Sequence, residues 1–256
     1  MRKTTRIEQF RQAVLICVTV CAFISLSGCT FDSASDSDVL PFFSELKDAD
    51  GGISPDAPVN ISFAGKEKAF DIYVALANAC KYVSLDLSES SVTGFNSSSA
   101  YPAGSKWIVS LILPDNLTNI GDEAFAGWMQ LRYIFISASV TTIGEYAFYN
   151  CSSLADIQIP ESVTTIGEYA FHQCTSLVEL TIPENVEYIE KDAFSSCSNL
   201  NVVTFIGDGT QIADNTVFPN GTKFREMAAH SERFGSGSYM AVHGMYLRNG
   251  TEWRRE

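Results

Sequence analysis

The chain has 256 residues, 17 of them Lys or Arg and 30 Asp or Glu, for a formal net charge of −13. With 46% hydrophobic and only 18% charged residues it is too apolar for a disordered protein. Its acidic balance argues against nucleic acid as a partner, because phosphate binding needs clustered Lys and Arg. Seven Cys are too few for a disulfide scaffold of this length.

The charge and the hydrophobicity are segregated along the chain. Met1 to Arg11 carries Arg2, Lys3, Arg6 and Arg11 against one acid, Glu8, and an apolar run follows from Ala13 to Leu26. This is the layout of an export signal, and the run falls short of the roughly 20 residues that a membrane-spanning helix needs. It ends in Leu26-Ser27-Gly28-Cys29, which resembles the lipobox of bacterial lipoproteins. The resemblance implies removal of residues 1–28, lipidation of Cys29 with fatty-acyl (palmitate-type) chains, and membrane anchoring at the cell envelope. Two or three acyl chains hold a protein stably where one gives only marginal binding. The mature chain would have 228 residues and a net charge of −16, since the removed part holds four bases and one acid.

Residues 29–58 are rich in Ser and Asp, with Gly51-Gly52, Pro41, Pro55 and Pro58, and read as a disordered tether. Residues 59–107 are expected to form an N-terminal cap with a degenerate repeat. Within it Val59 to Phe63 reads as a strand, and Lys66 to Lys81 has the apolar period of a helix. Val83-Ser84-Leu85-Asp86-Leu87-Ser88 repeats the pattern of Val109 to Pro114 after 26 residues, and Ser91 to Ala103 forms the degenerate turn.

Residues 108–206 carry a repeat of 23 residues. Ile-Gly recurs at Ile120-Gly121, Ile143-Gly144 and Ile166-Gly167, with Ile189-Glu190 as the fourth member. The same step relates Phe125, Phe148, Phe171 and Phe194, each preceded by Ala, and Leu131, Leu154, Leu177 and Leu200. A further column is Leu113, Ile136, Ile159, Ile182 and Phe205, followed by Pro at 114, 160 and 183. Fixed periods of this length signal a solenoid, in which each turn buries its apolar side only by stacking on its neighbours. The alternation Ile157-Gln158-Ile159 reads as a half-buried strand that Pro160 ends. Val163 and Ile166 are expected to turn inward on the next side, and Gly167 to supply a backbone angle that a β-carbon resists. The Ala-Phe pair places one ring per coil into the core, which predicts a ladder of four Phe rings.

The unit Leu-x-x-Ile-x-Ile-Pro-x-Ser-Val-Thr-x-Ile-Gly-x-x-Ala-Phe-x-x-Cys, written out in residues 154–174, resembles the BspA-like, treponemal-type leucine-rich repeat. The resemblance covers about 108–206 and implies surface or secreted adhesion and interaction proteins. The expected fold class is a leucine-rich-repeat solenoid of α/β type, with short parallel strands, turns and short helices, closed by N- and C-terminal caps. Residues 207–256 are expected to form the C-terminal cap, with a short helix from Phe224 to Phe234 and a hairpin pairing Ser238 to His243 with Met245 to Trp253. Caps keep the last coils from exposing core and strand edge.

The sequence holds no nucleophile elbow, phosphate-binding loop, His-Glu-x-x-His or Cys-x-x-Cys, which argues against an enzyme and against a resident cofactor. The three His, at positions 172, 230 and 243, lie in different contexts. Cys151, Cys174 and Cys197 form a column in which parallel side chains do not meet disulfide geometry easily, and Trp128 heads the same column, which does not suit a series of metal ligands. From Asp115 to Asp192 there are twelve acids against two bases, with one column reading Asp122, Glu145, Glu168, Lys191. Without a calcium-loop motif this reads as a solvated face, with a basic partner as the alternative.

The outward strand columns are the candidate partner site: Ser110, Tyr133, Asp156 and Glu179 in one, Ile112, Phe135, Gln158 and Thr181 in the other. Ile112, Tyr133 and Phe135 are expected to form an exposed apolar and aromatic patch bordered by acids, open to a partner unless the N-terminal cap or tether lies over it. The sequence thus points to a monomeric, lipid-anchored envelope protein that binds a protein or other macromolecular partner, as in adhesion to host or neighbouring-cell proteins. The alternative is a scaffold within the envelope.

Overall fold

Each 23-residue unit folds into one coil with a longer strand on one side and a two-residue strand on another. The computed structural model describes residues 51–62, 81–92, 95, 105–207, 209–213, 216–219, 222–226, 239–240, 246–249 and 252–255. In chain order the strands are β1 (Val59–Ser62), β2 (Val83–Asp86), β3 (Ile108–Ile112), β4 (Asn119–Ile120), β5 (Tyr133–Phe135), β6 (Thr142–Ile143), β7 (Asp156–Gln158) and β8 (Thr165–Ile166). They continue with β9 (Glu179–Ile182), β10 (Tyr188–Ile189), β11 (Val202–Phe205), β12 (Gln211–Ile212), β13 (Lys223–Glu226), β14 (Tyr239–Met240), β15 (Tyr246–Asn249) and β16 (Glu252–Arg255).

The longer strands stack in parallel in the order β1-β2-β3-β5-β7 and then β9-β11-β13, and the short ones in the order β4-β6-β8-β10-β12. Register follows the repeat, with Tyr133 beside Asp156, Thr165 beside Tyr188 and Glu179 beside Val202. A bulge between Val83 and Ser84 takes up one extra residue where β2 meets β3. Pro160 and Pro183 end their strands, and their carbonyls accept from Val163 and Val186 at 3.1 and 3.3 Å, which starts the next side of the coil. Val163 and Ile166 point inward and are fully buried.

The Phe column is a continuous ladder. Phe125, Phe148, Phe171, Phe194 and Phe218 stack at 5.1, 4.9, 5.0 and 5.2 Å between successive ring centroids, one ring more than the sequence predicts. Stacked rings contribute about 0.5–1.5 kcal/mol per pair beyond their burial. The Phe amides also tie the coils, since those of Phe125, Phe148 and Phe171 each donate to the Ala carbonyl of the next coil at 2.7 Å.

Several expectations are corrected. The solenoid of short parallel strands and turns is as expected, but the expected short helices are not: among the described residues the only helical element is a 3-10 turn at Ser105–Trp107. The reason is that inter-coil hydrogen bonds occupy the backbone donors that a helix would need. Where a helix was expected from Phe224, β13 instead continues the sheet in parallel beside β11. The C-terminal hairpin joins β15 to β16, and β14 pairs antiparallel with β12 rather than with β15. Residues 51–58, read as tether, form a hydrogen-bonded turn in which the Gly52 amide donates to the Ala57 carbonyl at 3.0 Å. Gly144 and Gly167 do not have positive φ. Glycine is needed there for space, since a Cβ on Gly167 would stand 2.7 Å from the Gly144 carbonyl carbon. The signal peptide, Cys29, the tether up to residue 50, the helix expected over 66–80, His230 and His243 lie outside the described residues.

Candidate functional site

The strand face separates into a covered and an open part. Ser110 and Ile112, expected outward and available, are 6% and 7% exposed, because β3 is buried on both of its faces. They therefore leave the accessible patch. Tyr133 is 44% exposed, and Asp156, Gln158, Glu179 and Thr181 are exposed, while Phe135 is half-buried. At the border of the two parts, the Arg132 guanidinium meets the Asp56 carboxylate at 2.7 Å, which lays the turn before β1 against the start of β5. The open face thus presents one phenol ring, a carboxylate and an amide on the paired strands β5 and β7, with a further carboxylate and a hydroxyl on β9, the edge strand of the next sheet.

A second feature lies on the turn side, where Gly-Glu-Tyr-Ala-Phe occurs at 144–148 and again at 167–171. Tyr146 stacks on Tyr169 at 4.9 Å and 9°, and Tyr149 on His172 at 5.4 Å and 4°. Within each coil the rings meet edge to face, Tyr146 with Tyr149 and Tyr169 with His172. The sequence reading missed this block; the recurring pentapeptide was the signal for it. Its backbone is unusual. Glu123, Tyr146, Tyr169 and Asp192 have φ of 52–55°, and Gly127, Asn150, Gln173 and Ser196 form a second left-handed column at 56–72°. In this conformation the amides of residues 123, 146, 127 and 150 point along the solenoid axis and donate to carbonyls of the next coil at 2.6–2.9 Å.

Acids crowd the same side. The Glu145 amide donates to the Asp122 carboxylate at 2.9 Å. Burial, then the charges of Glu168, Asp122, Glu190 and Glu123, hold the Glu145 carboxyl above its ordinary range. Burial, then Glu145 and Glu168, raise the Tyr146 phenol, and a hydrogen bond with Asp192 leads the causes that raise Tyr169. His172 Nδ1 lies 2.5 Å from the Ser195 hydroxyl; burial lowers the imidazole pKa and Asp192 opposes it. Among the described residues no group of three or more His, Cys, Asp or Glu is placed to hold a metal ion.

The Cys column is fully buried. Cys151, Cys174 and Cys197 donate their thiols to the carbonyls of Phe125, Phe148 and Phe171 in the preceding coil at 3.1, 3.2 and 3.0 Å. Burial pushes the Cys151 and Cys174 thiols well above their ordinary pKa, so the reactive thiolate is disfavoured.

Stacked 23-residue coils with Leu, Ile, Phe and Cys columns define a leucine-rich-repeat solenoid. The chain belongs to the BspA-type leucine-rich-repeat family, whose model matches six copies over residues 97–224. No curated protein matches it significantly. Among solved structures, it is similar to a leucine-rich-repeat protein of T. pallidum (TpLRR), at 28% identity and a TM-score of 0.45, over 60% of this chain and 66% of that one. It is also similar to a leucine-rich-repeat protein of Bacteroides ovatus, at 18% identity and a TM-score of 0.28, over 66% of each chain. The chain spans just under two thirds of the length of each of these proteins. Leucine-rich-repeat domains of this kind typically mediate protein interactions and are not usually enzymes.

Proposed function

We propose that this chain is a lipid-anchored protein of the bacterial cell envelope that acts as a monomer and binds a protein or other macromolecular partner, in adhesion to host or neighbouring-cell proteins. The observation that carries the binding reading is the open face made by the paired strands β5 and β7 and the following strand β9. There the exposed Tyr133 ring stands in register with Asp156, next to Gln158, Glu179 and Thr181. Large aromatic residues on a rigid, polar-rimmed surface mark interaction sites. The sequence Leu26-Ser27-Gly28-Cys29 supports the anchor.

Capture of envelope and host-matrix proteins on the chain from residue 30, at low and high salt, tests the reading. Tyr133→Ser is expected to abolish the main capture with circular dichroism and melting unchanged; undiminished capture overturns the face assignment. Cys29→Ala is expected to leave the protein unprocessed or release it from membranes, and unchanged retention overturns the anchor. Protease treatment of intact cells separates adhesion from a scaffold role, since an outward-facing adhesin is cleaved.

A further inference from the structure

We propose that the turn face formed by Tyr146, Tyr149, Tyr169 and His172 is a second docking site, and that its occupant is a lysine- or arginine-bearing segment of another protein. It is separate from the sheet face proposed above and does not depend on it.

The fold does not ask for these rings. In the neighbouring coils the same two columns hold Glu123 and Asp192, and Ala126 and Ser195. The backbone there is unchanged, with φ of 55° at both acids, and the Phe ladder beneath runs through without a break. Two coils alone therefore carry a half-exposed aromatic block, in a place where smaller and more polar side chains serve the solenoid equally well.

The chemistry of the block selects a cation. Aromatic faces attract ammonium and guanidinium groups through the ring quadrupole, and carboxylates alongside add to that attraction. One face of Tyr149 stacks on His172, and in the preceding coil its column holds the methyl group of Ala126 in place of a ring. Glu145 and Glu168 each adjoin a ring of the block along the chain. Burial first, and then the charges of Glu168, Asp122, Glu190 and Glu123, raise the Glu145 carboxyl, so a cation brought there offsets the repulsive part. The same charge repels anionic lipid, nucleic acid and a second copy of this face. A long, flexible basic side chain supplies both the charge and a stem that packs on the rings.

The test is binding of a labelled Lys-Ser decapeptide to the full chain by fluorescence anisotropy, with a Glu-Ser decapeptide as control. Affinity is expected to fall in about 0.3 M salt, where the charges are screened. Tyr149→Ala combined with Tyr146→Asn is expected to weaken binding at least about tenfold. Asn suits the left-handed backbone, so the fold is retained. The double Tyr→Phe variant at the same positions is expected to keep most of the affinity, and Tyr133→Ser to leave it unchanged. The assignment is overturned if the Lys-Ser peptide does not bind, if the Glu-Ser peptide binds equally, or if the folded ring-deleted variant keeps wild-type affinity. Loss on Tyr133→Ser would move the peptide to the sheet face and overturn it as well.

Discussion

Gly167 stacks on Gly144 so closely that a β-carbon on Gly167 would stand 2.7 Å from the Gly144 carbonyl carbon and 2.8 Å from the Glu145 nitrogen. Both obstacles are backbone, which cannot swing aside. Gly167→Ala is therefore expected to spread the coils locally and cost about 1–3 kcal/mol, the usual range for overpacking. Urea denaturation measures it, and an unchanged midpoint would show that the coils can separate freely at this point. The amides of Gly144 and Gly167 donate to Ile120 and Ile143 at 2.9 and 2.8 Å. The Glu190 amide makes the equivalent bond to Ile166 at 2.9 Å, so the ladder itself survives a side chain there.

Phe171 sits in the middle of the aromatic ladder, fully buried, with rings at 4.9 and 5.0 Å on its two sides. Phe171→Ala is expected to cost about 3–5 kcal/mol through lost burial and the cavity left behind. Because a solenoid is held together by nearest-neighbour contacts, the break also divides the ladder. Thermal unfolding of the variant is expected to broaden or split into two transitions, and a single sharp transition at the wild-type temperature would contradict the ladder's role.

Gln173 and Ser196 occupy a column whose first member is Gly127, and all three have positive φ. A β-carbon resists this conformation by roughly 1–2 kcal/mol, partly offset because glycine loses more backbone entropy on folding. Ser196→Gly, at an exposed site, is expected to raise stability by a few tenths to about 1 kcal/mol. A lower denaturation midpoint would mean that the serine side chain contributes more than its backbone strain costs.

The buried thiols predict both a reactivity and a pH dependence. Cys151, Cys174 and Cys197 are expected to resist alkylation in the folded protein at pH 8 and to react once it is denatured, which intact-mass measurement reads directly. Folding raises the Cys151 and Cys174 pKa above the unfolded value of 9.0. The stability this carries is complete below that value and is lost as pH rises above it, when the unfolded chain ionises first. A denaturation midpoint that falls between about pH 8 and 10.5, and falls less in Cys174→Ala, is the expected result.

The acid column gives a smaller effect of the same sign. Since burial and neighbouring carboxylates raise the Glu145 pKa, its ionisation opposes folding as pH rises above the ordinary carboxylate range. Glu145→Gln is expected to raise the melting temperature slightly at pH 7 and low salt and to leave it unchanged at pH 3. A drop at pH 7 would show that the carboxylate has a favourable partner on this face.

The 23-residue period by itself determined which residues share a column, and therefore the parallel stacking, the register of β3, β5 and β7 and of β9 and β11, and the Phe ladder. In-register coils place residue i beside residue i+23, so a column in the sequence is a stack in space. A column does not say which conformation closes the coil. The left-handed angles at Tyr146 and Asn150 arise because their amides must reach the next coil, a demand that exists only once coils are stacked. Nor does a column say what lies over it: Ser110 and Tyr133 are aligned in the sheet, yet one is covered and the other open. Gly167 was recognisable as special, but its reason was steric contact between coils rather than a backbone angle. Repetition specifies neighbours along the axis, whereas exposure, turn geometry and the aromatic block on the turn face follow from how the closed coil packs as a solid.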